Sequence, residues 1–204
     1  SYNYTYFLYI CTMPHNPYHI DSPEDAGKYM SDMVQGMLSG PGSTQNEIFD
    51  AIEEVVSYEA PESQQTLRNL LTMTSFMENS MGADTTAFGR GYTRSFMSID
   101  DNAFNTIFQQ DSPTRRAYRE RYEEMGLPSD MLGLSGLLQS DDPLASVAVA
   151  RQIYGLSTKP LPANNPEALF QYYMKEYNKG GAEKYGSEDK ARQRFMTGYD
   201  MFIK

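Results

Sequence analysis

Residues 61–82 read PESQQTLRNLLTMTSFMENSMG, and the way this stretch starts, repeats and stops sets the architecture of the chain. Pro61 suits the first turn of a helix. Leu67, Leu70, Leu71, Thr74 and Met77 then recur at helical spacing, so one face of that helix is expected to be buried. Glu78 follows Thr74 at i+4 and Leu71 at i+7, which puts it on or beside the buried face in the last turn. A carboxyl at the low-dielectric wall of a cleft keeps its proton to higher pH than one in water, as a proton donor at neutral pH must. The same position also reads as a surface glutamate that merely ends a helix.

Working outward, the helical rhythm continues. Ser43, with Glu47 after it, opens a helix carrying Ile48, Phe49, Ile52, Val55 and Val56. Ser22-Pro23-Glu24 opens another, whose stripe of Tyr29, Met30, Met33, Val34, Met37 and Leu38 reads as core filling. The opening YNYTYFLYIC is rich in aromatic and β-branched residues, as in an edge strand or a packed extended arm. Residues 80–100 break the rhythm with glycines and hydroxyl residues, giving a long loop or small hairpin beside Glu78. Helices are expected again over 101–110, 113–125, 129–138 and 142–154, from Asn165-Pro166-Glu167 to Gly180, and from a Ser187 cap to Phe202. The expected fold is mainly α, one domain of two unequal lobes with a small irregular or β element after the Glu78 helix.

With 204 residues the chain is long enough for one core, and 40% hydrophobic with 22% charged residues fits a globular domain and not a disordered one. The 17 Lys and Arg against 27 Asp and Glu leave a formal charge of -10, which repels nucleic acid. A single cysteine, Cys11, allows no intramolecular disulfide and no thiolate metal cluster. His15 and His19 are separated by Pro17 and do not share a helix face, so no metal is expected there. The apolar run Tyr6 to Cys11 is too short for a membrane span and has no basic region before it, so no signal peptide is expected there.

FMENSMG at 76–82, GRG at 89–91, SFMSI at 95–99 and YNKG at 177–180 resemble, in order and in gaps, the core of the lysozyme-like lytic transglycosylases. In that family a helix-ending Glu precedes Ser and a glycine, a GLMQI-type strand follows, and a YNxG motif ends a helix lining the glycan groove. The likeness covers residues 62–181, and its texture is similar to phage virion-associated peptidoglycan-degrading domains. It implies a lysozyme-like fold: a catalytic core over 61–181, an N-terminal arm and helical extension over 1–60 packed on it, and a C-terminal helix over 182–204. The implied activity is cleavage of the β-1,4 bond between N-acetylmuramic acid and N-acetylglucosamine. The implied partners are a peptidoglycan strand and other virion or tail proteins, and the implied location is a virion or the periplasm and cell wall of a bacterial host.

In that family one glutamate donates and then accepts a proton while the muramoyl C6 hydroxyl attacks, giving 1,6-anhydro ends without a cofactor. By the resemblance Glu78 takes this role, Tyr177 and Asn178 line the groove, and Ser98 stands where the strand carries Gln. Tyr92 and Phe96 are expected to offer stacking surface to sugar rings. The chain departs from the family pattern at Asn79, where Ser is usual, and at Ser98, whose short hydroxyl needs a bridging water or a displaced strand to reach the groove.

The residues themselves leave alternatives open. A hydrolytic muramidase requires a second carboxylate about 5 to 9 Å across the cleft, and Asp84, Asp100 and Asp101 are available. Asp100 and Asp101 read more simply as a helix cap. Tyr177-Asn178 is also an ordinary helix exit. Arg115, Arg116, Arg119 and Arg121 form a basic cluster that reads as a solvated face paired with Glu120, Glu123 and Glu124, or as a contact for an anionic polymer or another virion protein. The rival from another class is a structural or glycan-binding virion protein that keeps the fold without turnover.

Overall fold

A computed structural model describes residues 44–79, 93–109, 113–178 and 185–204. The described residues form α1 (Gln45–Ser57), α2 (Pro61–Asn79), the strands β1 (Thr93–Arg94) and β2 (Ile99–Asp100), α3 (Asp101–Gln109), α4 (Pro113–Glu124), α5 (Met131–Gln139), α6 (Pro143–Gly155), α7 (Pro166–Tyr172), a π-helical turn (Tyr173–Tyr177) and α8 (Glu188–Phe202). The protein is mainly α-helical, as its periodicity predicts. The N-terminal arm and the Tyr29 to Leu38 helix lie outside the described residues.

Local chemistry sets most helix starts. The Thr44 hydroxyl accepts from the Glu47 amide while the Glu47 carboxylate accepts from the Thr44 amide at 2.7 Å, a reciprocal capping box. The cap is therefore Thr44 and not the expected Ser43, because the box needs a spacing of three residues. Asp130, Asp142, Asn165 and Ser187 cap α5, α6, α7 and α8 by accepting with the side chain from the amide three residues on, with Pro143 and Pro166 in the first turns that follow.

Helix α6 is the hub. Its residues Ala145 to Ala150, Gln152, Ile153 and Tyr154 are all buried, so the helix is covered on every side, and it packs against α1, α3, α5 and the π turn. Helix α2 is enclosed too: beyond the expected stripe, Thr72, Met73, Ser75 and Phe76 are buried, since α1, α6 and α8 surround it. Gly198 permits the close approach of α8, for a Cβ there would lie 2.3 Å from the Phe76 ring. Ile48 and Ile52 of α1 and Phe195 of α8 join the same hydrophobic cluster as Leu67, Phe104, Val147 and Phe170. Residues on both sides of the expected 61–181 core thus contribute to one interior.

One region differs from expectation in hydrogen-bond register. The helix expected from 165 to 180 changes pitch at Tyr173, and the Asn178 amide donates to the Tyr173 carbonyl at 2.9 Å, five residues back. The segment after Glu78 contains a short antiparallel hairpin in which Thr93 faces Asp100 and Arg94 faces Ile99.

Candidate functional site

Helix α2 delivers Glu78 from the core to its edge. Every residue from Leu67 to Met77 except Arg68 is buried, and Glu78 is half-buried. The carbonyls of the last turn, which lack partners within a helix, are met from the α8 side of the molecule. Arg194 Nη2 donates to the Phe76 carbonyl at 3.2 Å, and the Tyr185 hydroxyl donates to the Met77 carbonyl at 3.1 Å. The Glu78 carboxyl is met from the π turn: the Tyr173 hydroxyl donates to Oε1 at 2.5 Å and lies 2.8 Å from the Tyr185 hydroxyl.

The π turn also reaches the hairpin. Tyr173 and Tyr177 stack with ring centroids 6.2 Å apart, and the Tyr177 hydroxyl donates to the Met97 carbonyl at 2.7 Å. Met97 lies in the four-residue turn Ser95 to Ser98, closed by the Ser98 amide on the Ser95 carbonyl at 3.0 Å. Ser95 and Ser98 adopt left-handed backbone conformations, with φ of 64° and 49°, an unfavourable state for residues with a side chain. The turn is held there by Tyr177 on one side and by Asp141 on the other, whose Oδ1 accepts from the Phe96 amide at 2.8 Å. Asp141, between α5 and α6, is itself buried with φ of 59°. Left-handed residues, a π turn and a half-buried carboxyl therefore meet in one place.

A cluster of phenols surrounds that carboxyl. Tyr154 of α6 shares a 2.6 Å hydrogen bond with Thr74 and packs its ring on Tyr172 and Tyr177 at 5.7 and 5.1 Å. Burial, followed by the charge of Glu78, holds the Tyr173 and Tyr177 hydroxyls well above the usual phenol range. Tyr154 is likewise raised well above it, chiefly by burial, with the Glu78 charge adding to the effect. These hydroxyls are therefore protonated donors at any working pH: Tyr173 donates to the Glu78 carboxyl, Tyr177 donates to the Met97 carbonyl, and Tyr154 shares its hydrogen bond with Thr74.

The structure places the expected residues unevenly. Glu78 stands in the last turn of α2, and Ser98 is beside the Met97 carbonyl that Tyr177 grips. Tyr177 is near enough for the Glu78 charge to act on it, yet its hydroxyl bonds the hairpin, and the phenol on Glu78 is Tyr173, one turn earlier. Asn178 is buried, with its Nδ2 3.6 Å from Met174 Sδ, so this amide turns toward its own helix. Phe96 is corrected outright: it is 0% exposed in the core and offers no face to a sugar. Tyr92 and Asp84 lie outside the described residues. Asp100 caps α3 by accepting from the Ala103 amide at 2.7 Å. Arg121 is not part of a solvated face paired within its own helix, since it turns inward to Glu59 at 2.7 Å.

Sequence reasoning missed Tyr173, Tyr185 and Asp141. Tyr173 carried a usable signal, because it is four residues before Tyr177 and so shares its helix face. Tyr185 and Asp141 gave none. Among the described residues no cluster of three or more His, Cys, Asp or Glu is placed to hold a metal, and no helix is long and apolar enough to cross a membrane. Comparison with known proteins returns no match: no protein-family model, no curated protein and no solved structure is significantly similar to this chain.

Proposed function

We propose that this chain is a lysozyme-like domain that cleaves the β-1,4 bond between N-acetylmuramic acid and N-acetylglucosamine in peptidoglycan, with Glu78 as acid and base. The observation that carries the reading is the Glu78 carboxyl at the end of a buried helix, bonded by Tyr173 at 2.5 Å and joined through the Tyr173–Tyr177 stack to the hairpin turn. The order of a helix-ending Glu, a hairpin and a Tyr-Asn helix exit is the order on which the family resemblance rests. Glycoside cleavage needs a proton for the leaving oxygen and stabilisation of an oxocarbenium-like centre. In a transglycosylase the substrate's own C6 hydroxyl attacks, and Glu78 serves twice, donating to the leaving oxygen and then accepting the hydroxyl proton.

The hydrolytic alternative has one supporting observation. The charge of Asp100, like that of Glu78, acts on Tyr177, so two carboxylates lie within electrostatic reach of one phenol. Asp100 Oδ1 is occupied in capping α3, which favours transglycosylation as the first reading. The test is digestion of purified peptidoglycan by the wild type and by Glu78→Gln, with products analysed by mass spectrometry. Glu78-dependent products one water lighter than reducing muropeptides support transglycosylation. Reducing ends that also require Asp100 support the muramidase. No Glu78-dependent release from several wall types over a broad pH range points to a structural or glycan-binding virion protein.

A further inference from the structure

We propose that Asp141 is a positioning residue: from the end of α5 its carboxyl holds the Ser95–Ser98 turn in a conformation that the turn does not keep by itself, and so sets the hairpin beside the Glu78 site. Among the described residues three non-glycine positions have left-handed backbone, Ser95, Ser98 and Asp141, and all three meet in this one contact. Left-handed backbone disfavours a residue with a Cβ, so each of the three is held by its surroundings. Asp141 stands where helices commonly end on glycine. Its amide donates to the Leu138 carbonyl at 3.2 Å and the Asp142 amide donates to the Leu137 carbonyl at 3.0 Å, the paired bonds of a Schellman ending. Glycine would end α5 at less cost, but it has no carboxyl. The Asp141 carboxyl crosses to the hairpin, where Oδ1 accepts from the Phe96 amide at 2.8 Å.

The turn needs that acceptor. Phe96, Met97 and Ile99 are buried, and their burial takes the backbone between them out of water, where an unmet amide is costly. The Met97 amide turns to the Ser95 hydroxyl at 3.3 Å, the Ser98 amide closes on the Ser95 carbonyl, and the Met97 carbonyl accepts from Tyr177. The Phe96 amide is met from outside the hairpin, across 45 residues of sequence, by Asp141. Glu78 is held separately. Arg194 and Tyr185 meet the carbonyls of the last turn of α2, and Tyr173, which bonds the carboxyl, belongs to the π turn. Loosening the hairpin therefore displaces the wall that carries Ser98 and leaves the carboxyl in place.

Asp141→Gly deletes the carboxyl and suits the left-handed backbone, so α5 can end as before. The first readout is hydrogen exchange at the amide of position 98, which donates to the Ser95 carbonyl and so reports closure of the turn. Its protection should fall about tenfold or more in Asp141→Gly, as for the loss of one hydrogen bond to a carboxyl. The fall should exceed any change at the Val149 amide in buried α6, which follows global stability. Asp141→Asn keeps an acceptor and tolerates left-handed backbone, so it should lie between Asp141→Gly and the wild type. Adding Ser98→Gly to Asp141→Gly should restore part of the protection, since glycine takes the left-handed state without the penalty. Unchanged protection at position 98 in Asp141→Gly, or no recovery on adding Ser98→Gly, overturns the proposal. The kinetic readout rests on the proposed glycan cleavage. Asp141→Gly should raise KM for soluble glycan strands about threefold to tenfold with kcat retained, as when a binding surface and not the reacting group is disturbed. An unchanged KM, with or without a loss of kcat, overturns the positioning role and leaves the functional reading standing. If the wild type cleaves no glycan, the functional reading fails, and hydrogen exchange by itself decides whether Asp141 holds the turn.

Discussion

Two glutamates at the ends of consecutive helices are held in opposite ways. Glu59, just beyond α1, meets two guanidinium groups: Arg151 reaches Oε1 and Oε2 at 3.0 Å each, and Arg121 reaches Oε1 at 2.7 Å. The Tyr118 ring lies 5.4 and 5.5 Å from the two guanidinium carbons. Both Glu59 oxygens are occupied by fixed cations, so the group joins α1 to α4 and α6. Glu78, at the end of α2, is met by a phenol, a neutral donor. Cations around a buried carboxylate make a scaffold. A hydroxyl holds one without bringing a charge of its own.

The largest effect expected from breaking this contrast is on turnover. Glu78→Gln should lower glycan release by about a thousandfold, within the usual range of acid-base catalysis, with little change in thermal midpoint because the amide oxygen still accepts from Tyr173. Muropeptide release and thermal denaturation measured on one preparation would check this. A variant that unfolds while keeping its activity per folded molecule would make Glu78 a second scaffold carboxylate and remove the distinction.

The converse experiment is Arg151→Met. It leaves Glu59, whose side chain is 9% exposed, with Arg121 alone, and stability to urea should fall by about 3 kcal/mol with kcat per folded molecule unchanged. A loss of kcat without a loss of stability would move this cluster into the functional site.

Two glycines sharpen the comparison further. A Cβ at Gly198 would lie 2.3 and 2.4 Å from carbons of the Phe76 ring, and one at Gly155 would lie 2.6 Å from the Tyr118 hydroxyl. Alanine at either should cost about 1 to 3 kcal/mol through overpacking, read from urea midpoints. Only Gly198→Ala should also depress activity, because Phe76 is two residues from Glu78.

A separate effect, confined to alkaline pH, is a slope with pH. The raised phenols of Tyr154, Tyr173 and Tyr177 bind their protons more tightly in the folded chain than at the ordinary value of about 10. Their contribution is complete below about pH 10 and declines as pH rises beyond it, by about 1.4 kcal/mol per pH unit for each phenol. Urea midpoints followed between about pH 8 and pH 11 should show this decline, with tyrosinate absorbance developing as the protein unfolds. Tyr173→Phe should reduce the slope by one phenol's share.

The helices were largely legible in the sequence because their boundaries rest on neighbours. Asp142-Pro143, Asn165-Pro166 and Ser187 act on amides within three residues, so reading the chain locally locates them. The displacement from Ser43 to Thr44 is the same rule applied one residue off. Glu78 was legible as well, since helical spacing alone carries it from Leu71 and Thr74 to the end of a buried face.

The partners of Glu78 were decided by packing. Tyr173 reaches it across 95 residues of sequence and Tyr185 reaches Met77 across 108. Neither pairing has a local signature. The π turn that orients Tyr173 and Tyr177 is a shift of one hydrogen bond, from four residues back to five, and no side-chain pattern announces it. Phe96 shows the same limit: an aromatic in a glycine-rich segment suits a sugar face or a core equally well, and only the enclosing structure buried it. The sequence by itself determined where the helices run and which carboxyl ends the buried one, because those depend on spacing and caps. Only the tertiary structure decided which carboxyl meets arginines and which meets phenols, because that depends on helices α4, α6 and α8 and the π turn arriving from distant parts of the chain.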